Sequence, residues 1–121
     1  MKIVVDAMGG DHAPAAVVEG AVLAAREYNT KIILTGLRER IQAELDKHDP
    51  DHTLPIEIVH AEQIVEMHDI PGKALRTKKK SSMKVGLDLV KQGVGAAFLS
   101  AGNTGAVLAY STVILRPVKG V

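Results

Sequence analysis

Short strand-forming runs alternate with helix-period stretches along this chain, and that alternation limits its fold more than any other feature. Ile3-Val4-Val5 is a β-branched run that ends at Asp6. It passes into Met8-Gly9-Gly10-Asp11-His12-Ala13-Pro14, a loop where glycine supplies unusual backbone angles and Pro14 suits a helix's first turn. From Ala15 to Tyr28, the residues Val17, Val18, Ala21, Val22, Ala24 and Ala25 recur at helical spacing, which predicts a helix with one face on a sheet. Lys31 to Gly36 reads as a second strand and Leu37 to His48 as a second helix, with Arg40 and Glu44 placed to pair one turn apart. After the break at Asp49-Pro50-Asp51-His52, Pro55 to His60 is a third strand, followed by an irregular stretch from Ala61 to Asp69. Pro71 opens a short helix through Lys80, Ser81 caps another from Ser82 to Gln92, and Gly93-Val94-Gly95 leads into a fourth strand, Ala96 to Leu99. Ala106 to Leu115 carries no charge, so a helix there belongs in the domain centre or at a subunit interface.

This order predicts a single α/β domain over residues 1–121. Its expected form is a doubly wound, mostly parallel sheet with helices on both faces and right-handed crossovers. No internal repeat or low-complexity linker divides it. The composition agrees, because 46% of the residues are hydrophobic while only Tyr28, Tyr110 and Phe98 are aromatic. The core must therefore be built from Ala, Val, Ile and Leu, as in sheets covered on both faces. Ligands of such sheets sit beyond the carboxyl ends of the strands. Three segments are expected there: Asp6 to His12, His60 to Asp69, and Ser100 to Gly105.

Fifteen Lys and Arg against fourteen Asp and Glu leave a net charge of +1. That supplies no global field for nucleic acid or an anionic membrane, so no nucleic-acid partner is expected and any anion must be held locally. The absence of cysteine excludes disulfides, thiolate catalysis and Cys-ligated zinc, and is compatible with a reducing cytoplasm. Met1-Lys2-Ile3-Val4-Val5-Asp6 falls short of a signal-peptide core, and no stretch approaches the roughly 20 apolar residues of a membrane span. A cytoplasmic protein is expected. Arg116 to Val121 is turn-like directly after an apolar stretch and reads as an interrupted chain.

The sharpest functional signal is Ser100-Ala101-Gly102-Asn103-Thr104-Gly105. Gly102 and Gly105 let backbone approach a ligand closely, while Asn103, Thr104 and the following amides are donors at a helix N-terminus, the makings of an anion site. The alternative is a tight turn in which Asn103 or Thr104 only caps the next helix. Asp6, Asp11 and His12 bring two carboxylates and an imidazole to the end of the first strand, where His12 is placed for acid-base work. Against that stands a plain reading in which Asp11 caps the helix and His12 faces solvent. Arg76-Thr77-Lys78-Lys79-Lys80-Ser81-Ser82 is the sole basic cluster and leads into a capped helix, so Lys78, Lys79, Ser81 and Ser82 serve either an anion or acidic partner, or merely a solvated face. His60, His68 and Asp69 lack metal-ligand spacing, and no metal is expected; His48 and His52 flank a turn and are expected to be exposed. A nicotinamide site would need Gly-x-Gly-x-x-Gly after the first strand and an acidic residue ending the second, and the second strand ends in Thr35-Gly36 instead.

Val5 to Pro14, Lys78 to Met83 and Ser100 to Gly105 together resemble the bacterial PlsX family of fatty acid/phospholipid synthesis proteins, the acyl-ACP:phosphate acyltransferases. The order and spacing of these blocks cover nearly the whole chain. The resemblance implies a longer protein with these residues as its N-terminal portion, and a fold similar to phosphotransacetylase and isopropylmalate dehydrogenase. It implies that inorganic phosphate displaces acyl carrier protein from an acyl thioester without a cofactor, in a homodimer that lies in the cytoplasm or peripherally on the inner face of the membrane.

On that implication, Gly102, Asn103, Thr104 and Gly105 hold phosphate with help from Ser81 and Ser82. Asp6, Asp11, His12 and Asn103 orient or deprotonate it, and Lys78 and Lys79 meet the substrate or the carrier protein. Two rivals remain open at this point. One is a non-catalytic acyl-ligand or anion-binding module on the same scaffold; the other is a metal-dependent dehydrogenase on the related fold.

Overall fold

A computed structural model of the chain describes residues 1–102 and Ile114. Strand β1 (Lys2–Asp6) lies inside a four-stranded sheet of order β3-β2-β1-β4, with β2 (Lys31–Gly36), β3 (Ile56–His60) and β4 (Ala97–Leu99). Every pairing is parallel: Val4 sits opposite Ile33 on one side and Phe98 on the other, and Leu34 sits opposite Ile58. The helices are α1 (Ala15–Tyr28), α2 (Arg38–His48), α3 (Pro71–Thr77) and α4 (Ser82–Lys91). This is the α/β arrangement expected from the alternation. The bounds of α1 and β2 match the expectation, and the rest shift by a few residues at their ends.

Period-two alternation distributes the strand side chains between two cores. Ile32 and Leu34 join Val18, Ala21, Val22 and Ala25 of α1 and Ile41 and Leu45 of α2. On the opposite face, Met83 and Leu87 of α4 pack with Phe98, Val65, Ala74 and Ile114. Gly86 brings α4 down onto this face: a Cβ there would collide with the Phe98 ring and press on Val4. Ile33 and Leu34 are fully buried, each stabilising the fold by roughly 2–3 kcal/mol through removal of apolar surface from water.

Local chemistry sets the element ends. Asn29 closes α1 in the left-handed conformation that Asn tolerates. The Asp49 carboxylate accepts from the Thr53 and Leu54 amides and so shapes the turn after α2. Asp11 does not cap α1: Pro14 holds the N-cap position, with no side-chain hydrogen bond there. Glu44 pairs with Lys47 at 3.1 Å. The uncharged stretch expected to form a buried helix, 106–115, lies outside the described residues except for Ile114, which is helical and buried.

Candidate functional site

Strand order reverses beside β1: the chain moves outward from β1 to β2 and β3, then returns to place β4 on β1's other side. Such a switch opens a crevice at the carboxyl ends of β1 and β4, the standard ligand position of doubly wound sheets. Asp6 ends β1 there, and Ser100 follows β4.

Asp6 is the centre of this crevice's polar network. Asp6 is 3% exposed, and its carboxylate accepts hydrogen bonds from three segments of the chain. Ser82 Oγ and the Met8 amide donate to Oδ1, at 2.6 and 3.0 Å, and Ser100 Oγ donates to Oδ2 at 3.0 Å. Ser100 Oγ in turn accepts from the Gly102 amide at 3.1 Å, so the carboxylate orients the opening of the 100–105 loop through one hydroxyl. Thr35 Oγ1 donates to the Ser82 carbonyl at 2.8 Å and anchors the start of α4 to β2. Burial pushes the Asp6 carboxyl above its ordinary value of 3.8, against the lowering hydrogen bonds from Ser82, Met8, Ser100 and Gly9.

Glycine is required where the two loops meet. A Cβ on Gly9 would stand 2.8 Å from Ser100 Oγ, 2.9 Å from the Gly102 nitrogen and 3.1 Å from Asp6 Oδ2. Backbone therefore passes within contact of the network, as a site built from main-chain amides needs.

The remaining expected residues divide. Asp11 and His12 are exposed on the loop above the crevice. Asp11, Met8 and Gly10 line a cavity of about 350 Å³ together with Arg40, Glu66 and His68, so the first and second expected segments do meet at the carboxyl edge. Ser81 and Ser82 are both buried with their hydroxyls engaged inside the chain: Ser81 Oγ caps α4 by accepting from the Lys84 amide, and Ser82 Oγ serves Asp6. Lys78 reaches inward to Asp69 and the Ile64 carbonyl, each at 2.6 Å. Lys79 is exposed. Gly102 is buried beside Gly9, while Asn103, Thr104 and Gly105 lie outside the described residues.

Two contacts escaped the sequence reading. His60 Nδ1 accepts from the Arg38 amide at 3.2 Å, so this imidazole closes the start of α2. Ser82 meets Asp6 across 76 positions, a pairing that no local pattern signals. Among the described residues, no three His, Cys, Asp or Glu side chains gather as a metal cage. None of the described helices is long and apolar enough to cross a membrane.

A buried acid joining three segments at the switch point marks a candidate loop-built site on an α/β sheet. Comparison with known proteins gives the family. The family model described as fatty acid synthesis protein matches residues 1–121, and the chain belongs to that family. It is 50% identical over 121 residues to the phosphate acyltransferase of Geobacter sulfurreducens, covering 100% of this chain and 35% of the relative. It is 48% identical over 121 residues to that of Clostridioides difficile, again covering 100% of this chain and 35% of the relative. With the phosphate acyltransferase of Anaeromyxobacter dehalogenans it shares 49% identity over 119 residues, 98% of this chain and 33% of that protein. The chain spans about a third of the length of these relatives.

Proposed function

We propose that the whole protein transfers an acyl group from an acyl carrier protein to inorganic phosphate, and that the crevice between β1 and β4 holds the phosphate. The observation that carries this reading is the near-50% identity, over the full chain, to relatives named phosphate acyltransferase. The site supports it: amide-rich backbone reaches a strand's carboxyl end beside a carboxylate that holds the loop from beneath.

In this reading a phosphate oxygen attacks the thioester carbonyl, the new C–O bond forms, the C–S bond breaks, and the carrier's thiol leaves with a proton. No covalent enzyme intermediate is needed, and orientation supplies much of the acceleration. Asn103, Thr104 and the amides from Gly102 to Gly105 are assigned to phosphate. Asp6 is a positioning residue that acts through Ser100. Asp11, which lines the cavity, and the exposed His12 next to it in sequence are assigned to orienting phosphate or taking its proton. The protein is proposed to work as a homodimer in the cytoplasm, peripherally at the inner membrane surface.

Acyl phosphate trapped as hydroxamate is the test. In the full-length protein, Asn103→Ala and Thr104→Ala should raise the phosphate concentration needed for half-maximal rate by about tenfold or more while the fold persists. Unchanged phosphate dependence in both variants would refute the loop assignment. An absence of turnover by the unaltered protein would return the site to a non-catalytic anion or acyl-ligand module.

A further inference from the structure

Between Asp69 and Asp88 the sequence carries no acidic residue and six cations: Lys73, Arg76, Lys78, Lys79, Lys80 and Lys84. Three are consumed in ion pairs. Lys78 holds Asp69 at 2.6 Å, Lys84 holds Asp88 at 2.6 Å, and Lys80 stands 3.8 Å from Glu62. Lys73, Arg76 and Lys79 are exposed and make no ion pair among the described residues.

The packing of α3 turns these charges outward together. Ala74 is buried and Leu75 packs on the Met83 and Leu87 cluster, so the helix spends its apolar side on the core. Lys73 and Arg76, three positions apart, share the opposite side, and Ile70 just ahead of the helix is 67% exposed. The surface also adjoins the cavity at the carboxyl edge that holds Asp11. Ile70 and Lys73 line a cavity of about 250 Å³ with His68, and His68 also lines the cavity that holds Asp11.

We propose that Lys73, Arg76 and Lys79, with Ile70 beside them, dock an acidic protein surface. Resting on the acyl-transfer reading above, that partner is the carrier that presents the acyl thioester. Uncompensated cations around one apolar side chain match an acidic helix in charge, and through His68 they adjoin the cavity lined by Met8, Gly10 and Asp11, on the loop that follows β1. Because α3's own apolar side faces inward, only Met67 and Ile70 ahead of the helix are exposed to insert into lipid, and without an amphipathic helix face beside them a membrane is the less suited occupant.

The test uses the full-length protein with Lys73→Glu, Arg76→Glu and Lys79→Glu combined, and with the matched Lys73→Arg and Lys79→Arg as charge-preserving controls. At low salt, kcat/KM for acyl carrier protein should fall by roughly tenfold or more, through KM with kcat unchanged, and the arginine controls should retain the unaltered value. Turnover of a small acyl-pantetheine thioester, which lacks the protein surface, should not change. An unchanged kcat/KM for the carrier overturns the docking surface while leaving acyl transfer intact. An equal loss on both donors overturns it as well, since the defect is then not one of docking. Loss of sedimentation with phosphatidylglycerol vesicles, with carrier use unaffected, overturns it in favour of a membrane. If the unaltered protein turns over neither donor, the acyl-transfer reading fails; calorimetric titration with purified acyl carrier protein then decides the surface alone, because binding that the triple reversal weakens upholds it and equal or absent binding overturns it.

Discussion

Asp6 and Asp69 both tie loops together at the carboxyl edge of the sheet, yet only Asp69 has a cation against it. Asp6 is enclosed by neutral donors: two serine hydroxyls and an amide. Asp69 is part-exposed, takes the Lys78 ammonium at 2.6 Å and accepts the Glu66 amide at 2.8 Å. Their acidities diverge accordingly. Burial drives Asp6 upward despite its hydrogen bonds, whereas the bond from Lys78, followed by the Glu66 amide, holds Asp69 below the same ordinary value of 3.8. Neutral donors are enough to orient a buried carboxylate; they do not offset what its charge loses by leaving water.

Truncating the first acid should separate the two regions most. Asp6→Ala in the full-length protein strands the Ser82 and Ser100 hydroxyls and the Met8 amide in a buried space, and a loss of about 3 kcal/mol is expected in urea unfolding. A loss below about 1 kcal/mol would mean that the network is not the structural centre of the crevice. Next in size is Gly9→Ala, whose methyl must displace Ser100 Oγ or the Gly102 backbone. It should cost about 2 kcal/mol and weaken phosphate saturation, and steady-state kinetics at varied phosphate will show whether both effects occur together. Ser81 lies where the regions join, bridging to Gln63 while capping α4. Ser81→Ala should cost about 1 kcal/mol and leave phosphate saturation unchanged, which marks it as a cap; a matching loss of phosphate affinity would instead make it part of the site.

The smallest effect is a difference of sign along the pH axis. Asp6, with its folded value raised, stabilises least when ionised: its contribution is full at acid pH and declines as pH rises from 3.8 through the folded value. Asp69, with its folded value lowered, contributes above 3.8 and loses that contribution as pH falls through the folded value. Unfolding measured across this range should show Asp6→Asn removing the decline above 3.8 and Asp69→Asn removing the acid-side loss. Slopes of the same sign in both variants would erase the contrast between the two acids.

The fold was legible because each of its signals is local. Valine and alanine spacing marked α1, β-branched runs marked the strands, and Ser81 announced the start of α4 three residues before the amide it caps. The crevice was legible in position, since Asp6 ends and Ser100 follows strands that a doubly wound sheet must bring to one edge. Its wiring was not. Ser82 looks like an anion ligand in a basic stretch, and only the return of α4 onto β1 turns its hydroxyl toward Asp6. Lys78 likewise reads as one of three equivalent lysines until the 61–69 loop folds back and places the Ile64 carbonyl and Asp69 against it. Both are choices among chemically equal neighbours, made by tertiary contact.

The spans of these hydrogen bonds also set an order of assembly as the protein is synthesised. Lys78 follows Asp69 by 9 residues, so that pair can close as soon as its own segment has emerged. Asp6 must wait for Ser82, 76 residues later, and for Ser100, 94 residues later. At synthesis rates of about 5–20 residues per second, the first strand's acid spends on the order of 5–20 s without its partners. The floor of the crevice is thus begun in the first strand of the sheet and completed by one of the last of the described segment, after the sheet around it has been laid down.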